Sequence, residues 1–405
     1  MPITTSSQFA SVIETGTDWR DTSKKILEQL EAIKTQDNQF NLGFLYVSDH
    51  LADDLTSITN LFKSVLEIEN WVGCVGMGVC GNGQEEIDKV AISVMVGQFE
   101  KNSFQFFKAS PQNQSGEQNF EKWISRYEPL LAVTHANPLM QDNPVDLLDY
   151  IDEEIGGFTI GGLASSRTDH AIVSNEDEKE PISCLVFSSD LPVATTLSQG
   201  CKKISPVYTI TRCHNNKIYE IDGKPAIDVL AGDLKQLALE TAGEFSCGVA
   251  IDKSQSLENF EQLTDGEIHA AIPISGSDQG QYLVRNIIDI DEGDKSLEIA
   301  YPVQDGAHIL FVNRNDETAS SDLSKKLLAL RNRVIKTHGS FAPKGGLYIS
   351  CVARAFTDFK GKGPGGEMAL VRDIIGDIPL TGFYASGEIN AARLYSYTGI
   401  LILFL

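Results

Sequence analysis

The sequence predicts an α/β fold in which mixed β-sheets and helices form two related domains with internally repeated strand–helix–strand–glycine-turn units. Two observations predict it. The repeated unit occurs three times, within residues 42–83, 130–162 and 346–388. Between the second and third copies the sequence changes to short β-branched strands that are broken by turn residues. Such all-β segments among strand–helix–strand units favour mixed sheets over purely parallel ones.

The elements of the first part of the chain follow from the spacing of its apolar residues. Apolar residues at helical spacing predict amphipathic helices, and unbroken apolar runs predict buried strands. The predicted elements are helices at Asp18–Thr35, Ala52–Leu66 and Pro144–Glu154, and strands at Leu42–Val47, Trp71–Val75, Ala91–Val96 and Leu130–Thr134.

In the rest of the chain the same criteria predict more strands than helices. The predicted strands are Cys184–Phe187, Val193–Leu197, Val207–Cys213, Lys217–Ile221, Tyr282–Ile290, Ser296–Ala300, His308–Asn313 and Gly346–Ala353, and the predicted helices are Ala226–Glu240 and Glu367–Ile375. The turn at Asp222–Pro225 lies where short strands give way to helical spacing. It sets the predicted boundary between residues 1–224, which include a leader region at 1–40, and residues 225–405.

Composition and charge restrict the partners. The chain has 405 residues, of which 42% are hydrophobic, and this is enough for two globular domains. Its 56 acidic and 33 basic residues give a formal net charge of -23, which repels phosphate backbones and anionic membranes. No apolar run approaches the roughly 20 residues of a membrane helix. We therefore expect no nucleic acid and no membrane insertion. Seven irregularly spaced cysteines and the lack of a signal-peptide pattern predict a reduced, cytoplasmic protein.

Two glycine-rich segments bear on nucleotide or anion binding. Gly76–Gly81 has the spacing of a dinucleotide-binding loop, but a strand rather than a helix follows it. Because a helix N-terminus holds the pyrophosphate in that motif, we favour a turn that allows close backbone approach. Gly361–Glu367 precedes a helix without the spacing of a phosphate-binding loop, which favours a flexible loop over one that closes on a ligand.

The sequence lacks the signals of hydrolases and of metal sites. It contains no Gly-x-Ser-x-Gly, His-Glu-x-x-His or Cys-x-x-Cys motif. The seven histidines are scattered, with no pair at the spacing of metal ligands. We therefore expect no metal site and none of these catalytic constellations.

Three residues near the end of the chain could form a site at strand ends. Cys351 closes a buried strand and is either a small core residue or a thiol that faces a site, with Arg354 close enough to favour the thiolate. Glu388 follows the third glycine bend and would meet Arg354 if their strands were adjacent. The two charges would then suit a small zwitterion, although a structural salt bridge is equally compatible.

Two arginines lie in or at the end of apolar strands, namely Arg285 and Arg314. In so acidic a chain we favour pairing of these cations with internal carboxylates. The alternative is recognition of a ligand carboxylate by the planar guanidinium.

Several segments together resemble the FIST family, whose name abbreviates "F-box and intracellular signal transduction". Residues 195–204, 208–211 and 218–226 resemble the end of its N-terminal domain, and residues 282–286, 305–314, 350–354 and 379–389 resemble its C-terminal domain. The most specific pieces are Ser198-Gln199-Gly200-Cys201 and Gly382-Phe383-Tyr384-Ala385-Ser386-Gly387-Glu388. The resemblance assigns residues 1–224 and 225–405 to these two domains, in the free-standing prokaryotic arrangement.

The resemblance implies a cytoplasmic sensor that binds a small ligand, such as an amino acid, and signals to a separate protein. That partner would be a histidine kinase or a cyclic-nucleotide enzyme. The alternative is a haem-binding sensor of nitric oxide, as in some relatives, although the resemblance selects no histidine ligand. The less favoured third hypothesis is an enzyme that uses Cys351 as its nucleophile. The predicted ligand-binding residues are Gly162, Gln199, Arg285, Cys351, Arg354, Gly382, Ser386, Gly387 and Glu388.

Overall fold

The fold is that of a computed structural model, which describes residues 3–6, 8–33, 39–107, 120–141, 143–173, 181–244, 267–274, 281–355, 357, 359 and 366–405. The chain divides into two compact units. The first unit comprises Met1–Gln199 and Ser320–Leu405, and the second comprises Gly200–Ala319. The domain boundary that the sequence predicts after residue 224 concerns domains of the sequence, and it stays a prediction.

The helices and strands have the following bounds. The helices are α1 (Trp19–Ala32), α2 (Leu55–Leu66), α3 (Pro144–Ile155), α4 (Ala226–Glu244), α5 (Asp316–His338) and α6 (Glu367–Ile375), with 3-10 turns at Asp49–Asp54 and Val352–Arg354. The strands up to residue 199 are β1 (Thr4–Thr5), β2 (Phe9–Thr15), β3 (Leu42–Ser48), β4 (Asn70–Gly76), β5 (Gly78–Gly81), β6 (Gln84–Ile87), β7 (Ala91–Gly97), β8 (Phe104–Phe107), β9 (Pro129–Ala136), β10 (Phe158–Leu163), β11 (Ile172–Val173), β12 (Ile182–Ser188) and β13 (Val193–Ser198). The strands of the second unit are β14 (Lys202–Lys203), β15 (Tyr208–His214), β16 (Lys217–Ile221), β17 (Lys224–Pro225), β18 (Ile268–Pro273), β19 (Tyr282–Asp291), β20 (Ser296–Ile299) and β21 (His308–Asn313). The final strands are β22 (Gly345–Cys351), β23 (Leu380–Ala385), β24 (Gly387–Asn390), β25 (Arg393–Tyr395) and β26 (Gly399–Phe404).

Local sequence explains where several helices begin and end. The side chain of Asp18 accepts hydrogen bonds from the first-turn amides of Arg20 and Asp21, so α1 starts one residue after the predicted position. Helix α3 starts with Pro144 behind the capping side chain of Asn143, and it ends at Gly156 in the left-handed conformation.

The first unit repeats one motif three times. The parallel pairs β3–β4, β9–β10 and β22–β23 are each joined through a helix, which is α2, α3 and α6 in turn. Each pair lies in the interior of its own six-stranded sheet. The three sheets have the strand orders β1-β2-β7-β3-β4-β11, β25-β24-β10-β9-β12-β8 and β13-β26-β22-β23-β5-β6. The three-fold repeat that the sequence predicts is therefore present, and all three copies lie in the first unit.

Glycine-containing bends after the repeats carry the chain from one sheet to another. After β4 the chain joins the third sheet, where β5 pairs with β23, and after β23 it joins the second sheet, where β24 pairs with β10. After β10 it returns to the first sheet, where β11 pairs with β4. The Gly76–Gly81 segment is thus one of these crossings, and a strand rather than a helix follows it, as the sequence predicts. Most of the segment that we expected to be a turn is itself the strand β5.

A glycine occupies the same position in the second strand of every repeat. These residues are Gly73, Gly161 and Gly382. A Cβ atom at any of them would lie 1.7 Å from a backbone carbonyl oxygen of the neighbouring parallel strand. No larger residue fits without moving the backbone, so the close strand contact explains these glycines.

Aromatic side chains of all three sheets meet in the interior of the first unit. Phe404 of the third sheet has ring-centre distances of 5.4 Å to Phe9, 6.2 Å to Phe44 and 5.7 Å to Phe187. Outside this interior, α1 and α2 pack on the first sheet and α3 on the second. The helices therefore cover the outer faces, while the inner faces pack on each other.

The second unit is built around a closed antiparallel barrel. Strands β15, β16, β20, β19, β18 and β21 pair in that order, and β21 pairs back with β15. Helix α4 contributes Ala226, Leu230 and Leu234 to the apolar core of the barrel.

The α/β fold with mixed sheets is confirmed, and the helices and strands that the sequence predicts occur to within a few residues. The sequence did not predict α5, which is the longest described helix, or several strands, among them β2, β18 and β26. The largest change at a helix start is at α2, because the 3-10 turn Asp49–Asp54 occupies the predicted first residues. In the described part of the chain, no helix combines the length and apolar character that crossing a membrane requires.

Candidate functional site

Polar side chains gather in the first unit where β22 and β23 end. The carboxyl ends of parallel strands are the usual position of a binding site in an α/β sheet. Arg354 follows β22, Glu367 begins α6, Glu388 lies on β24, and Glu85 lies on β6. We call these four residues the carboxyl cluster. Glu367 and Glu388 are fully buried, Arg354 is 1% exposed, and Glu85 is partly exposed at the edge of the cluster.

Arg354 and Glu367 form a buried ion pair. The guanidinium Nε and Nη2 atoms donate to Glu367 Oε1 at 2.8 and 2.5 Å. The hydroxyls of Tyr348 and Ser350 donate to the same carboxylate at 2.7 and 2.8 Å, and Arg354 Nη1 donates to the carbonyl of Tyr397 at 3.2 Å. The pair is well hydrogen-bonded, which is what a buried ion pair requires to be tolerated.

Glu85 is a second acid of the cluster. Its carboxyl accepts a hydrogen bond from the Tyr384 hydroxyl at 2.5 Å and one from the Met368 amide at 2.6 Å. Burial, followed by the negative charge of Glu367, raises the pKa of Glu85 to about 7. Glu85 therefore titrates near neutral pH.

Glu388 differs from the other two acids because half of its carboxyl group is unused. Oε2 accepts hydrogen bonds from the amide and hydroxyl of Thr398, at 3.0 and 2.8 Å. The thiol of Cys351 is a further hydrogen-bond donor to this carboxyl. Oε1 is buried and has no hydrogen-bond partner. Burial raises the pKa of Glu388 to about 8. A buried polar atom without a partner is uncommon in native proteins and calls for a reason.

The thiol of Cys351 stays protonated in this setting. Cys351 is 5% exposed, and burial together with the negative charge of Glu388 raises the pKa of its thiol. The expectation that Arg354 favours the thiolate is therefore wrong, because the guanidinium pairs with Glu367 and burial dominates at the sulfur.

The expected meeting of Arg354 and Glu388 also needs correction. Their strands are not neighbours, since β22 lies in the third sheet and β24 pairs with β10 in the second. Arg354 pairs with Glu367 instead, and Glu388 bonds to Thr398. The structure still brings both residues, with Cys351, into one buried region, where Arg354 and Cys351 each act on the carboxyl of Glu388.

The predicted glycine and serine residues lie between the sheets. A Cβ atom on Gly162 would lie 2.9 Å from the Cβ of Ala385, and the hydroxyl of Ser386 donates to the carbonyl of Ala164 at 2.8 Å. Gly162, Gly382 and Gly387 all belong to strands. Protein atoms occupy the space beside Gly162 and Gly382, so packing between strands and sheets explains these glycines. Ligand contacts at these positions stay a prediction.

Gln199 and Arg285 lie in different units. Gln199 is buried and ends the first segment of the first unit. It directly follows β13, whose last residue Ser198 lies opposite Gly399, and Gly399 lies opposite Ser350 of β22. Gln199 is therefore at the edge of the third sheet that carries the cluster.

Arg285 lies on β19 in the second unit, where Nη1 donates to the carbonyl of Val284 at 2.8 Å and the guanidinium lies 5.0 Å from the ring centre of Tyr301. Arg285 and the carboxyl cluster therefore belong to different units.

The residues do not single out a haem or metal site. His135 is fully buried, and Nε2 lies 3.0 Å from the Tyr46 hydroxyl. Its ring packs against Phe383 at 5.8 Å, so a porphyrin would have to open the core to reach it. Within the described ranges, no three His, Cys, Asp or Glu side chains come together as metal ligands. The glycine-rich loop at 361–367 lies outside the described residues except for its last two.

Sequence reasoning missed Glu85 and Glu367. Glu85 belongs to a short polar strand that looks like a surface hairpin, and Glu367 looks like an ordinary first-turn acid of a helix. The only available signal was Arg354 itself, because a buried cation requires an acidic partner. Nothing in the sequence shows which of the 56 acidic residues supplies it.

Glu388 should make the protein less stable as the pH rises through neutrality. Its ordinary pKa is 4.5 and its folded value is about 8, so the folded state binds more protons than the unfolded state between these values. The free energy of unfolding then falls with pH, by about 1.4 kcal/mol per pH unit for one such group. Glu85 adds to this fall up to about pH 7. Urea denaturation at several pH values measures it.

The pH range of this measurement matters because the titration of His135 makes the free energy of unfolding rise with pH, opposite to the effect of Glu388. Burial lowers its pKa from 6.5 to about 3, so its effect on the free energy of unfolding is complete above about pH 6.5. Between about 6.5 and 8 we expect a loss of about 2 kcal/mol in the parent protein and a much smaller loss in Glu388→Gln. The exposed-site control Glu153→Gln should follow the parent. Equal slopes for the parent and Glu388→Gln would contradict the raised pKa.

Comparison with known proteins adds a family assignment. Residues 41–224 match the sequence profile of the FIST N domain. Residues 228–391 match that of the FIST C domain. The two matches together cover most of the chain, in the order that the resemblance implies.

Curated relatives occur in mycobacteria. An "Uncharacterized protein Rv0628c" of Mycobacterium tuberculosis is 23% identical over 375 residues, which cover 90% of this chain and 91% of that protein. An "Uncharacterized protein Mb0898c" of Mycobacterium bovis is 28% identical over 212 residues, about half of each chain at 51% and 49%. These names state no activity, so the family supplies the functional comparison.

Proposed function

Because the chain belongs to the FIST family, with an N domain followed by a C domain, we propose that it senses a small polar ligand in the carboxyl cluster. FIST domains are associated with the sensing of small ligands in signal transduction. The ligand would be an amino acid or a similar small metabolite. Its binding would be reported to a separate signalling protein.

The observation that carries the proposal is the unused carboxyl oxygen of Glu388. Oε1 is buried without a hydrogen-bond partner, whereas Oε2 of the same group has two donors. Leaving a buried acceptor unsatisfied costs about 1–3 kcal/mol. A ligand that donates a hydrogen bond to Oε1 would recover this free energy. The carboxyl therefore favours a ligand that carries a hydrogen-bond donor.

The neighbouring groups support a small polar ligand. The Arg354–Glu367 ion pair holds a fixed pattern of charge beside Glu388, and the hydroxyls of Tyr348 and Ser350 hold that pair in position. Charged groups whose partners are already in place need little reorganisation when a ligand binds. Arg354, Glu367 and Glu388 are buried, which favours a ligand of a few heavy atoms.

We propose that the protein acts by binding rather than by catalysis. The candidate nucleophile is Cys351, and its raised pKa keeps the thiol protonated at neutral pH. A protonated thiol is a poor nucleophile, so the cluster lacks the activated group that thiol catalysis needs.

The receiving protein would be a histidine kinase or a cyclic-nucleotide enzyme. Signalling to it requires that the ligand prefers one of two conformations of the sensor, since a ligand with equal affinity for both shifts nothing. We propose that a ligand at Glu388 would act on the contact between sheets, because β24, which carries Glu388, pairs with β10 of the second sheet.

A thermal-shift screen of amino acids and related small metabolites tests the proposal. Glu388→Met removes both carboxyl oxygens at similar side-chain length, and Glu153→Met makes the same change at an exposed position of α3. We expect at least one compound to raise the Tm of the parent and of Glu153→Met but not that of Glu388→Met. If Glu388→Met does not fold, Glu388→Gln is compared in its place.

Two results would contradict the proposal. One is a panel in which no compound stabilises the parent protein. The other is a compound that stabilises the parent and both Glu388 variants equally, which would place the ligand elsewhere. A Soret band in protein expressed with a haem precursor would favour the haem-binding alternative instead.

A further inference from the structure

The carboxyl cluster contains more acids than cations. Glu85, Glu367 and Glu388 share one region with a single described guanidinium, that of Arg354. Arg354 directs two donors to Glu367 and a third to the carbonyl of Tyr397. Among the described residues, its charge is therefore committed to one of the three acids. Buried carboxylates are stable only with a partner charge or with protons.

In the described part of the cluster, this imbalance leaves Glu85 and Glu388 without a counter-charge. Both carboxyl oxygens of Glu85 accept hydrogen bonds, whereas Glu388 has one oxygen without a partner. The described groups that act on the carboxyl of Glu388 are Thr398, Cys351 at the end of β22, and Arg354 in the turn that follows. The residues opposite Glu388 in the sheet are Gly162 on β10 and Tyr395 on β25, and neither carries a positive charge. The hydroxyl and amide of Thr398 bind Oε2 only, and Oε1 stays without a partner. We therefore expect Glu388 to hold a proton at neutral pH when no ligand is present, in agreement with its raised pKa.

We propose that the ligand of this site is a small organic cation, whose ammonium group takes the place of the proton on Glu388. This inference rests on the function proposed above and names the chemical class of the ligand. A cation near Oε1 supplies the missing positive charge and donates a hydrogen bond to the unused oxygen. An anion or an uncharged acceptor supplies neither.

The exchange is balanced in charge and in atoms. The protonated carboxyl of Glu388 loses its proton to solvent, and the carboxylate that forms pairs with the incoming ammonium ion. No covalent bond to carbon changes. The buried site gains one positive charge from the ligand and loses one with the proton, so its total charge does not change.

Binding should therefore depend on pH in a defined way. At pH values below the pKa of Glu388, which is about 8, each pH unit upward should raise the affinity about tenfold. Above that pH the affinity should level off. About one proton should be released per bound cation at neutral pH, and the use of two buffers with different ionisation enthalpies measures it by calorimetry.

The experiment uses the full chain and methylammonium chloride as the probe, with methanol as its uncharged counterpart. Thermal shifts are recorded between about pH 6 and the pKa of about 8 for the parent, Glu388→Gln and the exposed-site control Glu153→Gln. We expect methylammonium to stabilise the parent and the control increasingly as the pH rises, and to leave Glu388→Gln unchanged. Methanol should have no effect on any of them.

Infrared spectroscopy tests the proton separately. A protonated carboxyl has a carbonyl band of its own, and this band should be present in the parent at neutral pH and reduced in Glu388→Gln. An ionised Glu388 at pH 6, or a methylammonium effect that is absent or equal in the parent and Glu388→Gln, would overturn the inference.

The two proposals fail in different ways. If the metabolite screen finds an uncharged ligand that needs Glu388 and binds independently of pH, the proposed function stands and the cation inference falls. If no metabolite binds at all, the proposed function falls, and the inference falls with it.

Discussion

Replacing Arg354 by methionine should lower the free energy of unfolding by about 3–5 kcal/mol, because the change leaves a buried carboxylate without its counter-charge. Glu367 is fully buried and receives two hydrogen bonds from the guanidinium. In Arg354→Met, Glu367 must either remain charged beside Glu85 or take up a proton. Urea denaturation at neutral pH measures the loss.

A control and a double variant separate the ion pair from general damage. Arg393→Met makes the same change at an exposed position on β25 of the same unit, and its effect should stay within about 0.5 kcal/mol. In Arg354→Met/Glu367→Gln the buried charge is removed as well, so the loss should be smaller than in Arg354→Met alone. A loss in Arg354→Met no larger than in Arg393→Met would show that the pair contributes nothing to stability.

Replacing Gly382 by alanine should destabilise the first unit by at least about 3 kcal/mol, since overpacking against rigid backbone lies at the upper end of such effects. The added Cβ would lie 1.7 Å from the carbonyl oxygen of Tyr348 on the neighbouring strand. This carbonyl belongs to the backbone of β22, which pairs in parallel with β23 over six residues. The two strands would therefore have to separate to make room for the Cβ. Thermal unfolding of the purified variant measures the effect, and failure to fold would be its extreme form.

Gly387→Ala is the matched control, because this glycine lies on the next strand of the same chain segment. The nearest atom to its added Cβ is Leu163 Cδ1 at 3.3 Å, the end of a flexible side chain. We expect a change of less than about 1 kcal/mol there. Similar losses in the two variants would mean that close strand contact does not explain the glycine at Gly382.

Part of the candidate site could be predicted from the sequence, and the rest could not. Arg354 and Cys351 were found because they lie at the end of a predicted strand, and Glu388 because it follows a glycine bend. Strand ends and glycine bends are local properties of the chain. Glu85 could not be found, since it reaches the cluster only because β5 and β6 leave their own repeat and join the third sheet. Glu367 was missed because the sequence does not show which acid a buried arginine faces.

The sequence by itself determined the strands and helices of the three repeats, the three-fold repetition and the acidic character of the protein, although it did not predict α5. Apolar spacing and glycine positions act over a few residues, and net charge is a sum over the whole chain, so all three can be obtained without the tertiary structure. Only the tertiary structure decided that strands pass between sheets and that Arg354 meets Glu367 rather than Glu388. It also decided that one oxygen of Glu388 is left unpaired. The physical reason is that strand pairing between distant segments sets the partner of each charged group, and burial sets its pKa. Local sequence determines neither.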